Sequence, residues 1–363
     1  MKAAVLNAFN GRFDVEEVEL AAPLGKEVLV KVKAAGLCHS DLHLARHNFG
    51  TALPAVLGHE IAGIVEAVGP DVDEFAPGDH VVGSLIQWCG HCQDCLEGYS
   101  FRCTHGTELA RGPDQPPRIS RGGEPVTQGF GLAAFAEFAL IHSNQLVKVP
   151  EDLPFPQACI LGCGCVTGAG AVLNSANLRH GAVVAVTGIG GVGLNVVNGA
   201  QVAGAKRIIA IDIHPAKEAL ARKFGATDFI DASTCDPVAE VHRLTGGGVD
   251  CSFEAIGLKQ TIRQAVLMTR KGGAVYLIGV NDPTDKLELT VVPELISAQR
   301  TITGVYMGSS NTRRDIPLYA ELYRQGRFNL DDLVSNQISL AEINEAYAAM
   351  EGGAVARSVV TRF

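Results

Sequence analysis

The chain has 363 residues, of which 47% are hydrophobic and 19% charged, and its formal net charge is −9. This length predicts two domains, and the composition is that of a folded protein. An acidic chain without a run of Lys or Arg argues against nucleic acid and anionic membranes as partners.

No stretch of 18 uninterrupted apolar residues occurs, and the start of the chain lacks the cleavage pattern of a signal peptide. We therefore expect a cytoplasmic protein without a transmembrane helix. In that reducing compartment the ten cysteines would be metal ligands or buried thiols rather than disulfides.

The first part of the chain predicts β-strands, beginning directly after Met1. Short β-branched runs bounded by Gly or Pro follow at 27–35, 61–68, 80–84 and 135–141. From about residue 180 the pattern changes to strands that alternate with helix-length segments. These strands are predicted at 182–187, 207–211, 227–230, 249–253 and 274–278. The alternation predicts an α/β fold with a doubly wound parallel sheet.

The pattern changes again near residue 305. Ser339 and Glu342 predict a capping box that opens a helix over 340–350. The final SVVTRF predicts a strand that returns to the first domain. Residues 104–131 are rich in Gly, Pro and charge and are too long for a plain connection. Such a segment is typical of a site or interface lining, with disorder as the alternative.

Four cysteines follow the spacing C-x2-C-x2-C-x7-C: Cys89, Cys92, Cys95 and Cys103. Four thiolates complete the tetrahedral shell of Zn²⁺ and leave no open position, so this site would be structural. Iron–sulfur clusters in ferredoxins share the start of the pattern but have a shorter last gap and a following Pro, where this chain has Thr104. Unliganded thiols are the other alternative.

A second donor set is scattered along the sequence. Cys38 lies in GLCHSDLHL, His59 in GHE and Cys163 in LGCGCVTG, where Cys165 is the alternative to Cys163. Two thiolates and one imidazole leave a fourth zinc position for water or substrate, which indicates a catalytic site.

Neighbouring polar residues have plausible supporting roles. Asp41 would accept the free N–H of His59, Ser40 would hydrogen-bond a substrate hydroxyl, and His43 would pass its proton to solvent. An alternative treats His39, His43 and His47, at i, i+4 and i+8, as a separate metal-binding face, although no other ligands are supplied for it.

Residues 188–193 match G-x-G-x-x-G between a predicted strand and a predicted helix. Gly188 would allow the tight turn, Gly190 would let the backbone approach a pyrophosphate, and Gly193 would permit close helix packing, with Gly191 and Val192 between them. Asp212, at the end of the next strand, would bind the ribose hydroxyls and repel a 2′-phosphate, which favours NAD over NADP. The alternative is an ordinary Gly-rich turn.

Together these motifs resemble the zinc-dependent alcohol dehydrogenases of the medium-chain dehydrogenase/reductase superfamily over essentially the whole chain. The match includes GHEIAGIVEAVGPDV at 58–72, which fits G-H-E-x2-G-x5-G-x2-V, and the closing ARSVVTRF. The resemblance implies a GroES-like, β-rich catalytic domain at 1–164 and 307–363, with a structural zinc lobe at 85–105. It implies a Rossmann NAD-binding domain at 165–306.

The resemblance also implies roles for single residues. Cys38, His59 and Cys163 would be the ligands of the catalytic zinc, and Glu60 a transient alternative ligand. Lys217 would lie near the adenosine ribose, Arg357 would reach the pyrophosphate, and His39 stands where many relatives have Arg at the pyrophosphate. By family register the substrate pocket is lined by Phe49, Leu85, Val280 and Tyr306, and Val280 is also placed at the cofactor.

The function implied is reversible NAD-linked oxidation of a primary or secondary alcohol, bulky or aromatic, with two zinc ions per chain. The long segment 104–131 resembles that of dimeric members, which implies a homodimer, with a tetramer as the alternative. A thiol-adduct (S-hydroxymethyl) formaldehyde dehydrogenase is a second interpretation and would need a polar pocket mouth. A non-catalytic NAD(H)-binding protein is a third, but it would have no reason to keep the Cys38–His59–Cys163 set.

Overall fold

The computed structural model describes residues 1–352 and 356–363. Its strands, in chain order, are β1 (Lys2–Leu6), β2 (Phe13–Glu17), β3 (Glu19–Leu20), β4 (Glu27–Gly36), β5 (Ala55–Val56), β6 (Glu60–Val68), β7 (His80–Gly83), β8 (Ile119–Arg121), β9 (Glu124–Pro125), β10 (Thr127–Gln128), β11 (Phe138–His142), β12 (Leu146–Lys148), β13 (Val183–Thr187), β14 (Arg207–Asp212), β15 (Asp228–Asp231), β16 (Val249–Glu254), β17 (Thr269–Leu277), β18 (Thr301–Gly304), β19 (Asn336–Ser339) and β20 (Ser358–Arg362). Its α-helices are α1 (His39–Arg46), α2 (Gln93–Leu96), α3 (Phe155–Ile160), α4 (Val166–Gly170), α5 (Gly191–Val202), α6 (Glu218–Lys223), α7 (Pro237–Thr245), α8 (Lys259–Met268), α9 (Thr312–Arg324) and α10 (Ile343–Glu351).

The chain divides into two compact units. The first comprises residues 1–163, 311–325 and 330–363, and the second comprises residues 164–310 and 326–329. Both chain ends therefore belong to the first unit, as the resemblance implies.

The first unit is built on antiparallel strands. Its largest sheet has the order β12-β7-β6-β4-β20-β19, with β11 also paired to β4. The closing strand β20 pairs antiparallel with β4, so the predicted return of the chain end to this domain is confirmed. The predicted capping box of Ser339 and Glu342 is also confirmed, although the first turn after it is a 3₁₀ helix and α10 begins at Ile343.

The second unit is built on one parallel sheet with the order β15-β14-β13-β16-β17-β18. All five predicted strands of this region are present. The strand order reverses between β13 and β16, and in folds of this type dinucleotides bind outside the carboxyl ends of the strands at such a point. The doubly wound parallel sheet predicted from the sequence is confirmed.

The segment 104–131 forms structure of its own, including β8, β9 and β10, so the alternative of disorder is wrong. A buried carboxylate holds it to the sheet of the first unit. Glu27, at the start of β4, accepts hydrogen bonds from Arg111 Nε at 2.9 Å and Arg118 Nε at 2.7 Å. Because Glu27 is 3% exposed, these charge-assisted bonds form a strong anchor.

One continuous helical stretch, Phe155–Ser175, is apolar enough and long enough to cross a membrane by composition alone. Within the protein, 78% of its most apolar 18-residue window is buried, as in the core helix of a globular fold. It consists of α3 and α4 with a π-helical turn after each, Leu161–Cys165 and Ala171–Ser175. The residue pattern did not predict this helix.

Candidate active site

Three separate pieces of the first unit bring the scattered donors together. Cys38 is the N-cap of α1, two residues after the end of β4, and His59 directly precedes β6. The pair β4 and β6 places Gly36 opposite Glu60. A Cβ atom at Gly36 would lie 2.1 Å from Glu60 Oε2, so a larger residue there would displace the Glu60 carboxylate. The third donor, Cys163, lies in the π-helical turn Leu161–Cys165, an irregularity frequent at functional sites.

The donor atoms of Cys38, His59, Glu60 and Cys163 all lie within 4.8 Å of one another, and all four residues are buried. His59 Nε2 is 3.2 Å from Cys163 Sγ. Two soft sulfur donors, one imidazole nitrogen and a carboxylate in reach suit Zn²⁺. Glu60 Oε2 has no hydrogen-bond partner among the described residues, although it is buried, as expected for an oxygen beside a cation. The residues present therefore fit the zinc that the sequence predicts, with Cys163 rather than Cys165 in the set.

Asp41 holds His59 from the side opposite the sulfur donors. Its Oδ2 lies 2.9 Å from His59 Nδ1, and its Oδ1 accepts a hydrogen bond from Gly58 N at 2.9 Å. Burial lowers the pKa of His59, but the charges of Asp41 and Cys38 outweigh it and raise that pKa well above its usual value. Because Nδ1 faces a carboxylate, Nε2 keeps its lone pair for a metal.

Glu60 is paired with Arg357 behind the donor set. Arg357 Nη2 is 3.0 Å from Glu60 Oε1, and Arg357 Nη1 donates a hydrogen bond to Leu37 O at 3.0 Å. Burial raises the pKa of Glu60 to about 8, against the opposing effect of the Arg357 guanidinium. Arg357, expected at the pyrophosphate, is here 3% exposed.

Helix α1 carries the residues assigned to the proton relay. Ser40 Oγ accepts a hydrogen bond from Cys38 Sγ at 3.8 Å, which places the hydroxyl at the donor set. His39 and His43 are exposed on the same helix. His47 follows the helix in an extended conformation, with φ −122° and ψ 137°. The three histidines therefore do not share one helical face, and no metal group among the described residues contains them, so that alternative is wrong.

Phe130 is a site residue that the sequence analysis missed. Its ring centroid is 4.9 Å from that of His59, with the two rings inclined at 66°. Its backbone is left-handed, with φ 53° and ψ 16°, which is uncommon for a bulky residue. The one sequence signal for it was the length of the segment 104–131. That length predicted that the segment lines a site or an interface, but it did not single out Phe130.

The four-cysteine lobe folds around α2. The Sγ atoms of Cys89, Cys92, Cys95 and Cys103 lie within 4.8 Å of one another. Desolvation opposes ionisation of Cys89, but backbone N–H groups of His91 and Cys92 lower its pKa to about 6. Burial raises the pKa of Cys95 to about 12. Four thiols held this close fit a tetrahedral zinc without an open position.

The glycine turn lies in the second unit, between β13 and α5. Gly188 has φ +92°, and a Cβ on Gly193 would lie 1.8 Å from Gly188 O. A Cβ on Gly190, the N-cap of α5, would meet nothing within 4 Å. Open space at the N-terminus of a twelve-residue helix fits a pyrophosphate, with Gly191 and Val192 in the first turn.

Asp212 ends β14 beside this turn. Its Oδ2 accepts a hydrogen bond from Ile189 N at 2.8 Å and lies 2.9 Å from Lys217 Nζ. The two residues placed at the ribose therefore form one ion pair, and Asp212 also fixes the turn. The predicted pocket residues are largely exposed: Phe49 by 51%, Val280 by 65% and Tyr306 by 56%, whereas Leu85 is partly buried.

Comparisons with known proteins identify the relatives of this chain. Residues 25–151 match the family model described as alcohol dehydrogenase GroES-like domain, and residues 191–323 match zinc-binding dehydrogenase. The chain is 39% identical to the NDMA-dependent alcohol dehydrogenase of Amycolatopsis methanolica, over 99% of this chain and 98% of that protein.

Two solved structures are similar over the whole chain. An alcohol dehydrogenase zinc-binding domain protein from Burkholderia ambifaria is 39% identical, with a TM-score of 0.95 over 100% of this chain and 98% of that one. Benzyl alcohol dehydrogenase from Acinetobacter calcoaceticus is 35% identical, with a TM-score of 0.92 over 100% of this chain and 99% of that one.

Proposed function

The chain belongs to the zinc-dependent alcohol dehydrogenases of the medium-chain dehydrogenase/reductase superfamily, and we propose that it catalyses the reversible NAD-linked oxidation of bulky or aromatic alcohols to aldehydes or ketones. One observation carries this proposal. The donor atoms of Cys38, His59 and Cys163 converge in a buried site, and Asp41 fixes the histidine from behind. This arrangement suits a metal ion that binds a substrate oxygen at its open position.

The reaction removes a hydride from carbon and a proton from oxygen. Zinc, held by Cys38, His59 and Cys163, would supply Lewis acidity toward the substrate oxygen, and NAD would supply the hydride acceptor. Ser40 would take the hydroxyl proton while donating its own proton onward, because its Oγ lies beside Cys38. His43, exposed on the same helix, would release that proton to solvent. The products are the carbonyl compound, NADH and one proton.

The choice of NAD rather than NADP rests on Asp212. Its carboxylate is 7% exposed and ends β14 next to the glycine turn, where it would repel a 2′-phosphate. Lys217 neutralises part of the Asp212 charge. The preference for NAD therefore rests on where the Asp212–Lys217 pair lies, beside the glycine turn, as well as on the carboxylate charge.

Support for the substrate class is the largely apolar character of Phe49, Leu85, Val280 and Tyr306, which by the family resemblance would line the pocket. The solved benzyl alcohol dehydrogenase, similar over the whole chain, favours the same class. These apolar side chains disfavour the thiol-adduct formaldehyde dehydrogenase. The name of the A. methanolica relative gives a second candidate, oxidation of the same alcohols with NDMA as the required acceptor.

A panel of aliphatic and aromatic alcohols tests these candidates. Each alcohol is assayed with NAD alone, with NADP alone, with NDMA alone and with S-hydroxymethyl thiol adducts as competing substrates. The proposal expects the highest kcat/KM for aromatic alcohols with NAD. Turnover only with NDMA would select the second candidate, and a preference for the thiol adduct would overturn the substrate class.

For the assembly, we propose a homodimer in the cytoplasm. The strand β18 pairs only with β17 among the described residues, which leaves one edge of the parallel sheet open. The segment before it exposes Val291 by 55%, Val292 by 60% and Ile296 by 64%. A second copy of the chain would cover an open edge and an apolar patch together. Sedimentation of the wild type and of Ile296→Asp tests this, since a monomeric wild type would contradict it.

A further inference from the structure

The imidazole of His59 has polar contacts at its two nitrogen atoms and an aromatic contact against its ring. Asp41 Oδ2 faces Nδ1 at 2.9 Å, and Cys163 Sγ lies 3.2 Å from Nε2. A ring held at both nitrogens can still rotate about the line that joins them. The third contact, the ring of Phe130 at 4.9 Å and 66°, blocks that rotation because it stands against the imidazole at a steep angle.

Phe130 reaches this place through an unfavourable backbone conformation. Its φ of 53° lies in the left-handed region, where a bulky side chain is strained. Such a conformation persists only when surrounding contacts over-determine it. The contact that meets the Phe130 carbonyl comes from outside its own loop.

Gln145 supplies that contact. Its Nε2 donates hydrogen bonds to Phe130 O at 3.0 Å and to Ser84 O at 3.0 Å, and the residue is 1% exposed. Gln145 O also accepts a hydrogen bond from Ser84 N at 2.9 Å. One buried amide therefore ties the strained loop to the end of β7.

From these contacts we propose that Gln145 is a positioning residue: it holds Phe130 in the left-handed conformation that fixes the plane of the His59 ring at the metal. The proposal rests on the proposed function, because it takes His59 as a zinc ligand. It predicts that loss of the Gln145 amide changes the geometry of this metal site, although Gln145 touches neither metal nor substrate. Partners behind metal ligands are known to act in this way.

The chain offers a matched control. Gln128 Nε2 also donates to two carbonyls, Leu132 O at 3.3 Å and Leu140 O at 2.8 Å, and it holds the same loop. Unlike Gln145, it has no hydrogen bond to Phe130 among the described residues. The variants Gln145→Met and Gln128→Met remove the same amide group, and each loses two bonds to backbone carbonyls, one of them in the loop that carries Phe130. A merely structural role would therefore affect both alike.

The test is ¹¹³Cd NMR of the enzyme with its zinc replaced by ¹¹³Cd²⁺. The two-sulfur, one-nitrogen site and the four-sulfur site give separate resonances, so the second is an internal reference. We expect Gln145→Met to shift and broaden only the first resonance and to release that metal to a chelator about tenfold faster. Gln128→Met should leave both resonances in place.

Two further variants make the result decisive. Phe130→Leu keeps Gln145 but removes the aromatic edge, and it should shift the same resonance.

In the double variant Phe130→Gly/Gln145→Met, glycine relieves the strain, so the unfolding midpoint should recover while the resonance stays shifted. Wild-type resonances in Gln145→Met would overturn the proposal. If Gln145→Met does not fold, wild-type resonances in Phe130→Leu would overturn it instead. An equal shift in Gln128→Met would overturn it too. A single resonance in the wild type would instead contradict the proposed pair of metal sites.

Discussion

Arg357 and Glu60 form an ion pair in the interior of the first unit, with Arg357 Nη2 3.0 Å from Glu60 Oε1. The side chains are 4% and 0% exposed, and the carboxylate also faces the proposed metal donors. Removing one partner of such a pair leaves an uncompensated charge in a medium that solvates it poorly. Arg357 therefore has a structural function here, whatever contact it makes with a cofactor.

We expect Arg357→Met to lower the free energy of unfolding at pH 9 by about 3–5 kcal/mol, because Glu60, whose pKa is raised to about 8, is ionised there and loses its counter-charge. Urea denaturation at pH 9, with zinc content checked in each preparation, measures this change, and the loss should be smaller at pH 7, where Glu60 is mostly protonated. The control is Arg12→Met, which breaks the exposed Arg12–Glu345 pair, with side chains 71% and 65% exposed. That variant should cost less than about 1 kcal/mol. Equal losses in the two variants would contradict the role of burial.

Much of the candidate site could be predicted because its donors lie in local patterns. Cys38, His59 and Cys163 each sit in a short motif, and their side-chain chemistry alone indicates soft and borderline metal ligands. The parallel sheet was equally predictable, since its buried strands are continuous apolar runs between helix-length segments.

The parts that could not be predicted depend on backbone conformation and on contacts distant in sequence. The sequence around Phe130 does not predict a φ of 53°, because glycine is the residue type whose presence indicates a left-handed backbone. The sequence does not distinguish Gln145 from the other polar residues of the chain. Its role follows from the folded structure, in which its amide donates to Phe130 O. The helix Phe155–Ser175 was missed because its Gly-rich middle, LGCGCVTGAG, resembles a loop in composition.

The four-cysteine lobe has a built-in optical reporter. Trp88, the one tryptophan of the chain, directly precedes Cys89, and the Arg313 guanidinium lies 5.0 Å from its ring centroid. We expect Cys95→Ser to lose one zinc per chain and to shift the Trp88 emission, because the lobe loses its closed ligand shell. Cys163→Ser should also lose one zinc, with unchanged emission and abolished activity. Metal analysis and fluorescence spectra together check this, and identical spectra for both variants would refute separate sites.

The Asp212–Lys217 pair leads to a prediction on cofactor choice. Asp212→Asn keeps an oxygen for Ile189 N, removes the charge and frees Lys217 to meet a 2′-phosphate. We expect the ratio of kcat/KM for NADP to that for NAD to rise by about tenfold, as the loss of roughly 1.4 kcal/mol of discrimination implies. Asp231→Asn, the same change at the register partner on β15, is the control and should leave the ratio unchanged. A wild type that prefers NADP would show that the interpretation of Asp212 is wrong.

His43 and Ser40 lie three residues apart on α1 and so share one helical face. We expect His43→Gln to lower kcat for alcohol oxidation by roughly tenfold near pH 7, less than a full general base contributes, because water can replace the relay. The loss should shrink as pH rises and hydroxide takes the proton. The control is His47→Gln, which changes an exposed histidine beyond the helix. Single-turnover rates measured across pH test the role of His43, because slow product release can mask the proton-transfer step in steady-state rates.

Acid should destabilise the first unit through His142. Burial, with Arg118 and Lys26 nearby, lowers the pKa of His142 to about 4, and its Nδ1 accepts a hydrogen bond from Asn144 N at 3.1 Å. Between that value and about 6.5, the unfolded chain binds a proton that the folded chain does not. The stabilising contribution is therefore complete above pH 6.5 and is lost as the pH falls toward 4.

The variant His142→Asn separates this titration from the hydrogen bond. Its amide oxygen can accept from Asn144 N as Nδ1 does, but it cannot be protonated in this range. Between pH 7 and pH 5 the wild type should lose about 1 kcal/mol more unfolding free energy than the variant, after allowance for solvent screening. Urea midpoints at the two pH values measure the difference, with His47→Asn, an exposed histidine, as the control that should follow the wild type. Parallel acid losses in the wild type and His142→Asn would mean that other groups cause the destabilisation.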